Sequence, residues 1–375
     1  MRRASRSPER ARLVIAAPSS EALEHALDGI VPGVHVVSCE PIDDVGAGVV
    51  SRKAAGYARA WRVSAADRDG SVRAFVFRTA RSDEFGHDRR ADRMANLLLA
   101  FDSFDEIPDH VRAIDVGFVT PDGLRSVRGG GEAYLVTTWA EGHLYAEDLR
   151  RIAAEGDSTA LDRERCVALA RWLAALHAER VDDAIAWRRA IRDLLGHGEG
   201  IFGIADAYAP DVLAAPPARL AAVEHRCLEW RWRLKHHTER LSRTHGDFHP
   251  FNLVFSTSSR FTALDASRGC KGDPADDVTA LSINYVFFAL QKPGAWRQGF
   301  APLWNRFWDT YLDAAAGGAV LESAAPFFAW RALVLGCPRF YPDLSAPARD
   351  ALLSFAERAL ESPTFDVTSA EALFQ

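Results

Sequence analysis

Lysine is scarce in this chain. Lys53, Lys235, Lys271 and Lys292 are the only four, against 45 lysines and arginines together. Positive charge rests on arginine, and the net charge is still −6. That balance excludes a protein whose whole surface grips nucleic acid. Cysteine is also sparse: Cys39, Cys166, Cys227, Cys270 and Cys337 are widely spaced and form no CxxC pair. A disulfide framework or zinc ribbon is thereby excluded, and a reducing cytoplasm fits. No apolar run approaches the roughly 18 residues that span a bilayer. The basic start "MRRASRSPER" is followed only by the short "RLVIAA", not by a signal-peptide core. Residues 1–10 are expected to be a disordered tail, and neither a nucleic acid nor a membrane is an expected partner.

What is present is apolar residue in quantity. The 375 residues are 48% hydrophobic, enough for a sizeable core and for two lobes. The pattern changes along the chain. "SSEALEHAL" predicts a helix capped by Ser19 or Ser20. "VHVVSCEPI" and "SVRAFVFRTA" predict strands, and "DRRADRMANLLLAFDSF" a helix. "EAYLVTTWAEG" predicts a buried strand. Beyond Gly142 the periodicity turns helical, with "DRERCVALARWLAALHAE" and "ARLAAVEHRCLEWRWRLKHHTERL" as long stretches. "NLVF" and "FTALDAS" predict a small hairpin, and four apolar stretches after residue 273 complete a helical lobe. The expected class is α+β: a lobe at 11–140, including an extra strand–helix segment at its start, and a larger, mainly helical lobe at 141–375.

The chemistry is concentrated in "THGDFHPFNLVF", Thr244 to Phe255. Three readings are open on its residues alone. His245, Asp247 and His249 could hold a metal. The stretch could be a polar turn. Or Asp247 could face a substrate hydroxyl. Asp247 and Asn252 lie five residues apart, and Asp265 lies eighteen beyond Asp247 at the end of an apolar strand. Phosphoryl transfer from a nucleotide needs a carboxylate for the attacking hydroxyl and oxygen ligands for magnesium. A tight loop followed by a hairpin delivers all three groups to one place.

"HGDFHPFNLVF" followed by "ALDASRGCKGDPADDV" resembles the paired signature of the aminoglycoside phosphotransferase and choline kinase family, a branch of the protein-kinase-like fold. The resemblance covers roughly residues 40 to 360 and extends to "LAALHA" at 173 to 178. It implies a bilobal protein-kinase-like fold with its site in the cleft between the lobes. It implies Asp247 as catalytic base, Asn252 and Asp265 as Mg²⁺ ligands, His245 as the residue that holds the loop, and Asp273 as the structural aspartate of "GDP". "YLVTTWAEG" resembles the hinge, so Thr138, Trp139 and Ala140 are expected at the nucleobase. ATP or GTP is the implied phosphoryl donor, and a small hydroxylated molecule the acceptor.

The first lobe departs from the family pattern. The lysine position in "AFVFRTA" is taken by Arg78, with Lys53 as the other candidate for the phosphates. Arginine is a larger planar fork and not equivalent. Asp92, or alternatively Glu84, is the acid expected to orient it. Gly46 and Gly48 make a minimal glycine loop. Two outcomes follow: a small-molecule kinase with an altered phosphate clamp, or a nucleotide-binding protein with little transfer activity. The acceptor is an aminoglycoside-like molecule or, alternatively, choline, a sugar amine or an amino alcohol. Glu199 and Asp206, in "GHGEGIFGIADAY", are the candidate substrate acids.

Overall fold

The computed structural model describes residues 18–42, 58–83, 85–108, 111–131, 135, 137–266, 268–315 and 317–375. The chain divides into two compact units, Met1–Val136 and Thr137–Gln375. Gly46, Gly48, Lys53 and Glu84 lie outside the described residues, as does "RLVIAA".

In the first unit, helix α1 (Ser20–Asp28) begins where Ser19 accepts a hydrogen bond from the Ala22 N–H, satisfying one donor of the open first turn. Three strands follow: β1 (His35–Pro41), β2 (Ala58–Ala66) and β3 (Val72–Ala80). They pair antiparallel in the order β1-β2-β3, with Arg78 opposite Ala60. One sheet face packs under α1 through Leu23, Leu27, Val36, Val63 and Ala65. Helix α2 (Arg90–Ser103) comes next, then the hairpin β4 (Gly117–Thr120) and β5 (Gly123–Ser126). That hairpin is not legible in the sequence pattern.

The buried strand expected at 132–142 does not form over its described residues. Leu135 and Trp139 are 87% and 84% exposed. An apolar run cannot by itself distinguish a ladder-paired strand from an extended segment whose side chains face outward.

The second unit is mainly helical. Its elements are β6 (His143–Leu144), α3 (Tyr145–Glu155), α4 (Ala160–His177), α5 (Ala184–Gly196), α6 (Ile201–Ala205), α7 (Pro217–Leu234), β7 (Ser242–Arg243), β8 (Leu253–Phe255), β9 (Phe261–Ala263), β10 (Lys271–Gly272), α8 (Pro274–Gln291), α9 (Phe300–Ala314), α10 (Ala324–Gly336) and α11 (Ala346–Glu361). Strands β6, β8 and β9 form one antiparallel ribbon, and β7 pairs with β10. Gly142 enters β6 at φ +141°, and a Cβ there would collide with the Phe255 carbonyl oxygen. The helices close on an aromatic core in which Phe328 meets Phe365 at 4.4 Å and Phe355 at 5.2 Å. Among the described residues, no helix is long and apolar enough to cross a membrane.

The start of α4 shows how local chemistry sets these bounds. Thr159 Oγ1 accepts from the Asp162 N–H at 3.3 Å, and Asp162 accepts from the Thr159 N–H at 2.7 Å. This reciprocal cap satisfies two otherwise unpaired donors. Thr159→Ala is expected to cost about 1 kcal/mol. The thermal midpoint then falls by about 2–4 °C, read by circular dichroism.

Candidate active site

The loop at 244–252 is shaped from beneath by α8. Asp277, in the first turn of α8, is fully buried. Its two oxygens accept the backbone N–H groups of His245 and Gly246, each at 2.7 Å. Gly246 stands at φ +84°, in the left-handed region that glycine enters without strain. His177, at the end of α4, completes the arrangement: Nε2 lies 3.0 Å from Asp277 and Nδ1 lies 2.8 Å from the Tyr311 hydroxyl. Burial would raise the Asp277 carboxyl, but the His177 hydrogen bond and the two loop N–H donors more than offset it and hold it below its ordinary value.

His245 turns its Nδ1 to accept the Asp247 N–H at 3.2 Å, and its ring meets Phe248 edge-on. Phe248 is buried and stacks on Trp172. This anchors the loop on the residue after Asp247 and leaves the Asp247 side chain partly open, at 17% exposure.

The two oxygens of Asp247 have different surroundings. Oδ1 accepts from Arg331 at 3.0 Å and from Arg268 at 3.1 Å. Oδ2 is met by the Asn252 amide at 3.3 Å and by His249 Nε2 at 3.5 Å. Burial alone would raise this carboxyl; the His249 hydrogen bond and the Arg331 and Arg268 guanidiniums outweigh it and hold the group well below the usual carboxylate range. Asp247 is therefore a carboxylate at any physiological pH.

Asn252 reaches Asp247 twice, since its amide nitrogen also donates to the Asp247 backbone carbonyl at 3.0 Å. Strand β8 starts at the next residue and pairs with β9 in the register Leu253 to Ala263. The Leu264 N–H donates to the Asn252 carbonyl at 2.8 Å. Asp265 follows at φ +53°, the one positive-φ residue other than glycine among the described residues. Such backbone departures concentrate at functional sites. The hairpin thus sets Asn252 against Asp247 and places Asp265 one residue beyond the Leu264 N–H that donates to the Asn252 carbonyl. The amide nitrogen of Asn252 is spent on Asp247, so its carbonyl oxygen is the donor left over. The Asp265 carboxylate is exposed, and it and the Asn252 oxygen are each hard oxygen donors of the kind that suits Mg²⁺. Among the described residues, no three His, Cys, Asp or Glu side chains are placed to hold a metal by themselves.

Asp273 caps α8 through Ala275 N–H at 2.9 Å and takes Ser323 Oγ at 2.9 Å and Arg240 Nε at 3.3 Å. It secures the start of α8, and Asp277, one turn on, secures the loop. The sequence analysis did not single out Asp277 or its clamp on the loop. It also missed Arg268 and Arg331. A signal for Arg331 exists: it is the lone charge in the otherwise apolar "APFFAWRALVLG". An arginine buried in such a helix implies a paired acid.

The other candidates each have surroundings of their own. Arg78 is exposed on β3, with its guanidinium 5.6 Å from the Phe104 ring centroid. Asp92 accepts the Arg89 N–H at 3.2 Å and caps α2. Thr138 and Trp139 are exposed and Ala140 half-buried, at the start of the second unit. The Glu199 side chain is exposed, and its carbonyl accepts from Trp330 Nε1 at 2.7 Å. Asp206 lines a surface pocket of about 290 Å³ with Glu224. Burial first, and the Asp206 charge next, raise the Glu224 carboxyl.

Residues 54–327 match the family described as the phosphotransferase enzyme family. No curated relative matches the chain. Among solved structures, a glucosamine kinase in complex with glucosamine, ADP and inorganic phosphate is 19% identical, covering 58% of this chain and 61% of its own, with a TM-score of 0.42. An amicoumacin kinase bound to AMP-PNP is 14% identical over 88% of this chain and 91% of its own, with a TM-score of 0.39. A choline kinase from Streptococcus pneumoniae is 13% identical over 91% of this chain and 98% of its own, with a TM-score of 0.35. The match of the family over 54–327 takes in strands β2 and β3 of the first unit and the loop, hairpin and α8 of the site, and the chain belongs to the phosphotransferase enzyme family, with the α+β, protein-kinase-like fold.

Proposed function

We propose that the chain transfers the γ-phosphoryl group of ATP or GTP to a hydroxyl of a small molecule, with Asp247 as catalytic base. The observation that supports this reading is the pair of hydrogen bonds from the Asn252 amide to Asp247, with Asp265 next to the hairpin residue, Leu264, that bonds to the Asn252 carbonyl. Asp247 Oδ1 takes two guanidiniums at 3.0 and 3.1 Å, whereas the neighbours of Oδ2, Asn252 and His249, stand at 3.3 and 3.5 Å, so Oδ2 is the oxygen assigned to the acceptor. The acceptor oxygen attacks the γ-phosphorus, the bond from phosphorus to the bridging oxygen breaks, and the acceptor proton passes to Oδ2. A carboxylate of low basicity suits this chemistry: it orients the hydroxyl and takes the proton late, as the new bond forms. Asn252 and Asp265 would hold Mg²⁺, which when bound offsets charge on the phosphates. The exposed Trp139, beside Thr138 and Ala140, supplies an apolar face for the nucleobase, and Arg78 or Lys53 the positive group for the phosphates. Asp92, Gly46 and Gly48 belong to the same nucleotide-binding assignment. Glu199 and Asp206 are assigned to the acceptor.

A panel of hydroxylated small molecules, including aminoglycosides, choline, sugar amines and amino alcohols, tests this with Mg²⁺ and either ATP or GTP. One acceptor is expected to gain the mass of a single phosphoryl group. Nucleotide binding with no turnover on any acceptor, and none on water, would instead favour a nucleotide-binding protein that has lost transfer.

A further inference from the structure

We propose that Arg331 is a positioning residue for Asp247, held in place by Trp330. This rests on the assignment of Asp247 as the base. Arg331 sits mid-way along α10, where nearly every other residue is buried and apolar. Its side chain is 9% exposed. Burying a guanidinium in such a place is unfavourable unless good hydrogen bonds repay it, and Arg331 relies on its two Nη atoms, its Nε having no partner. Here it is used as a fork. Nη1 donates to Asp247 Oδ1 at 3.0 Å, and Nη2 donates to Asp276 Oδ1 at 2.6 Å and to the Gly246 carbonyl at 3.4 Å. One planar group therefore ties the catalytic loop to the first turn of α8. A lysine has a single nitrogen and cannot reproduce that spacing.

The ring beneath fixes the fork. The Arg331 guanidinium lies 4.0 Å from the Trp330 ring centroid, and that of Arg268 lies 4.6 Å from it. Trp330 is buried and its Nε1 is bound to the Glu199 carbonyl at 2.7 Å. Both cations that reach Asp247 Oδ1 are thus set by one immobilised indole. They differ in exposure. Arg268 is 22% exposed and approaches Asp276 only to 3.9 Å. Arg331 is the fixed member. Its Nη atoms are both committed to the protein, so it does not reach the reacting atoms. It sets the rotation of the Asp247 carboxylate and presents Oδ2 to the acceptor.

The test uses the full chain with Mg-ATP and Mg-GTP, water serving as the acceptor, so that ADP or GDP release is read without knowing the natural substrate. Arg331→Lys keeps a charge between the two carboxylates and is the variant expected to fold. Its kcat should fall roughly 100-fold, the loss that follows from a misplacement of about 1 Å, with KM for the nucleotide unchanged. Arg331→Ala, where it folds, should regain part of its turnover on adding millimolar methylguanidinium. A kcat for Arg331→Lys equal to the parent's, while Asp247→Asn is inactive, overturns the assignment of Arg331 and leaves that of Asp247 standing. A rise in KM for the nucleotide with kcat unchanged overturns it too. Full turnover by Asp247→Asn removes the catalytic reading, and the Arg331 proposal with it.

Discussion

Asp247→Asn is expected to abolish phosphoryl transfer while nucleotide binding survives. The substitution is nearly isosteric, so the loop keeps its shape: His245 and Gly246 still donate to Asp277, which the change does not touch. What is lost is the negative charge at Oδ2, the atom proposed to orient the acceptor and take its proton. Removing a general base costs about 10²- to 10⁴-fold in rate. Asn252 and Asp265 remain, so the affinity for Mg-ADP should be unchanged, as measured by calorimetric titration. The variant also places a neutral amide between Arg331 and Arg268, which lose a charged partner but keep Asp276 within 2.6 and 3.9 Å respectively. A folded Asp247→Asn protein with parental turnover would sink the assignment.

The contrast between loop and first lobe shows what a sequence can carry. Asp247, Asn252 and Asp265 are legible because their roles are fixed by short spacings: one loop, one hairpin, and a register in which residue 253 pairs with residue 263. The strands β1 and β3 and the helices α1 and α2 are legible because alternation and 3.6-residue periodicity are local patterns that distinguish strand from helix. Arg268 and Arg331 are not legible in this way. They stand 21 and 84 residues from Asp247 in the chain, Arg268 between β9 and β10 and Arg331 on α10, and only the folded chain brings them to it. The clamp made by Asp277 is not legible in the sequence either. A carboxylate in a first helical turn is stabilised by the dipole in any helix, and nothing local says that two loop N–H groups will point at it. The exposed segment around Trp139 failed for the opposite reason: its β-branched and apolar residues match a strand, and only the absence of a paired neighbour among the described residues shows otherwise.

Asp277 carries the second large effect, on stability. It is buried completely and receives three partners: the His245 and Gly246 N–H groups and His177 Nε2. Asp277→Asn leaves one oxygen to serve two N–H donors and turns an amide toward at least one of them. Breaking a buried charged network of this kind costs about 3–5 kcal/mol. At about 2–4 °C per kcal/mol for a unit of this size, the thermal midpoint should fall by roughly 6–20 °C. The pH dependence has a definite sign. The folded carboxyl lies below its ordinary value of 3.8, so the unfolded chain binds the proton more readily. The stabilisation from Asp277 is therefore fully present above that ordinary value and is lost as pH falls through the lower folded value. Asp247, also depressed, adds in the same direction. The midpoint of the parent chain should thus hold steady from neutrality down to mildly acidic pH and then drop steeply, while Asp277→Asn starts lower and drops less. Thermal melts of both proteins across that range decide it: parallel pH curves would show that Asp277 contributes no charge-dependent stability, and that the loop is held by packing around Phe248 instead.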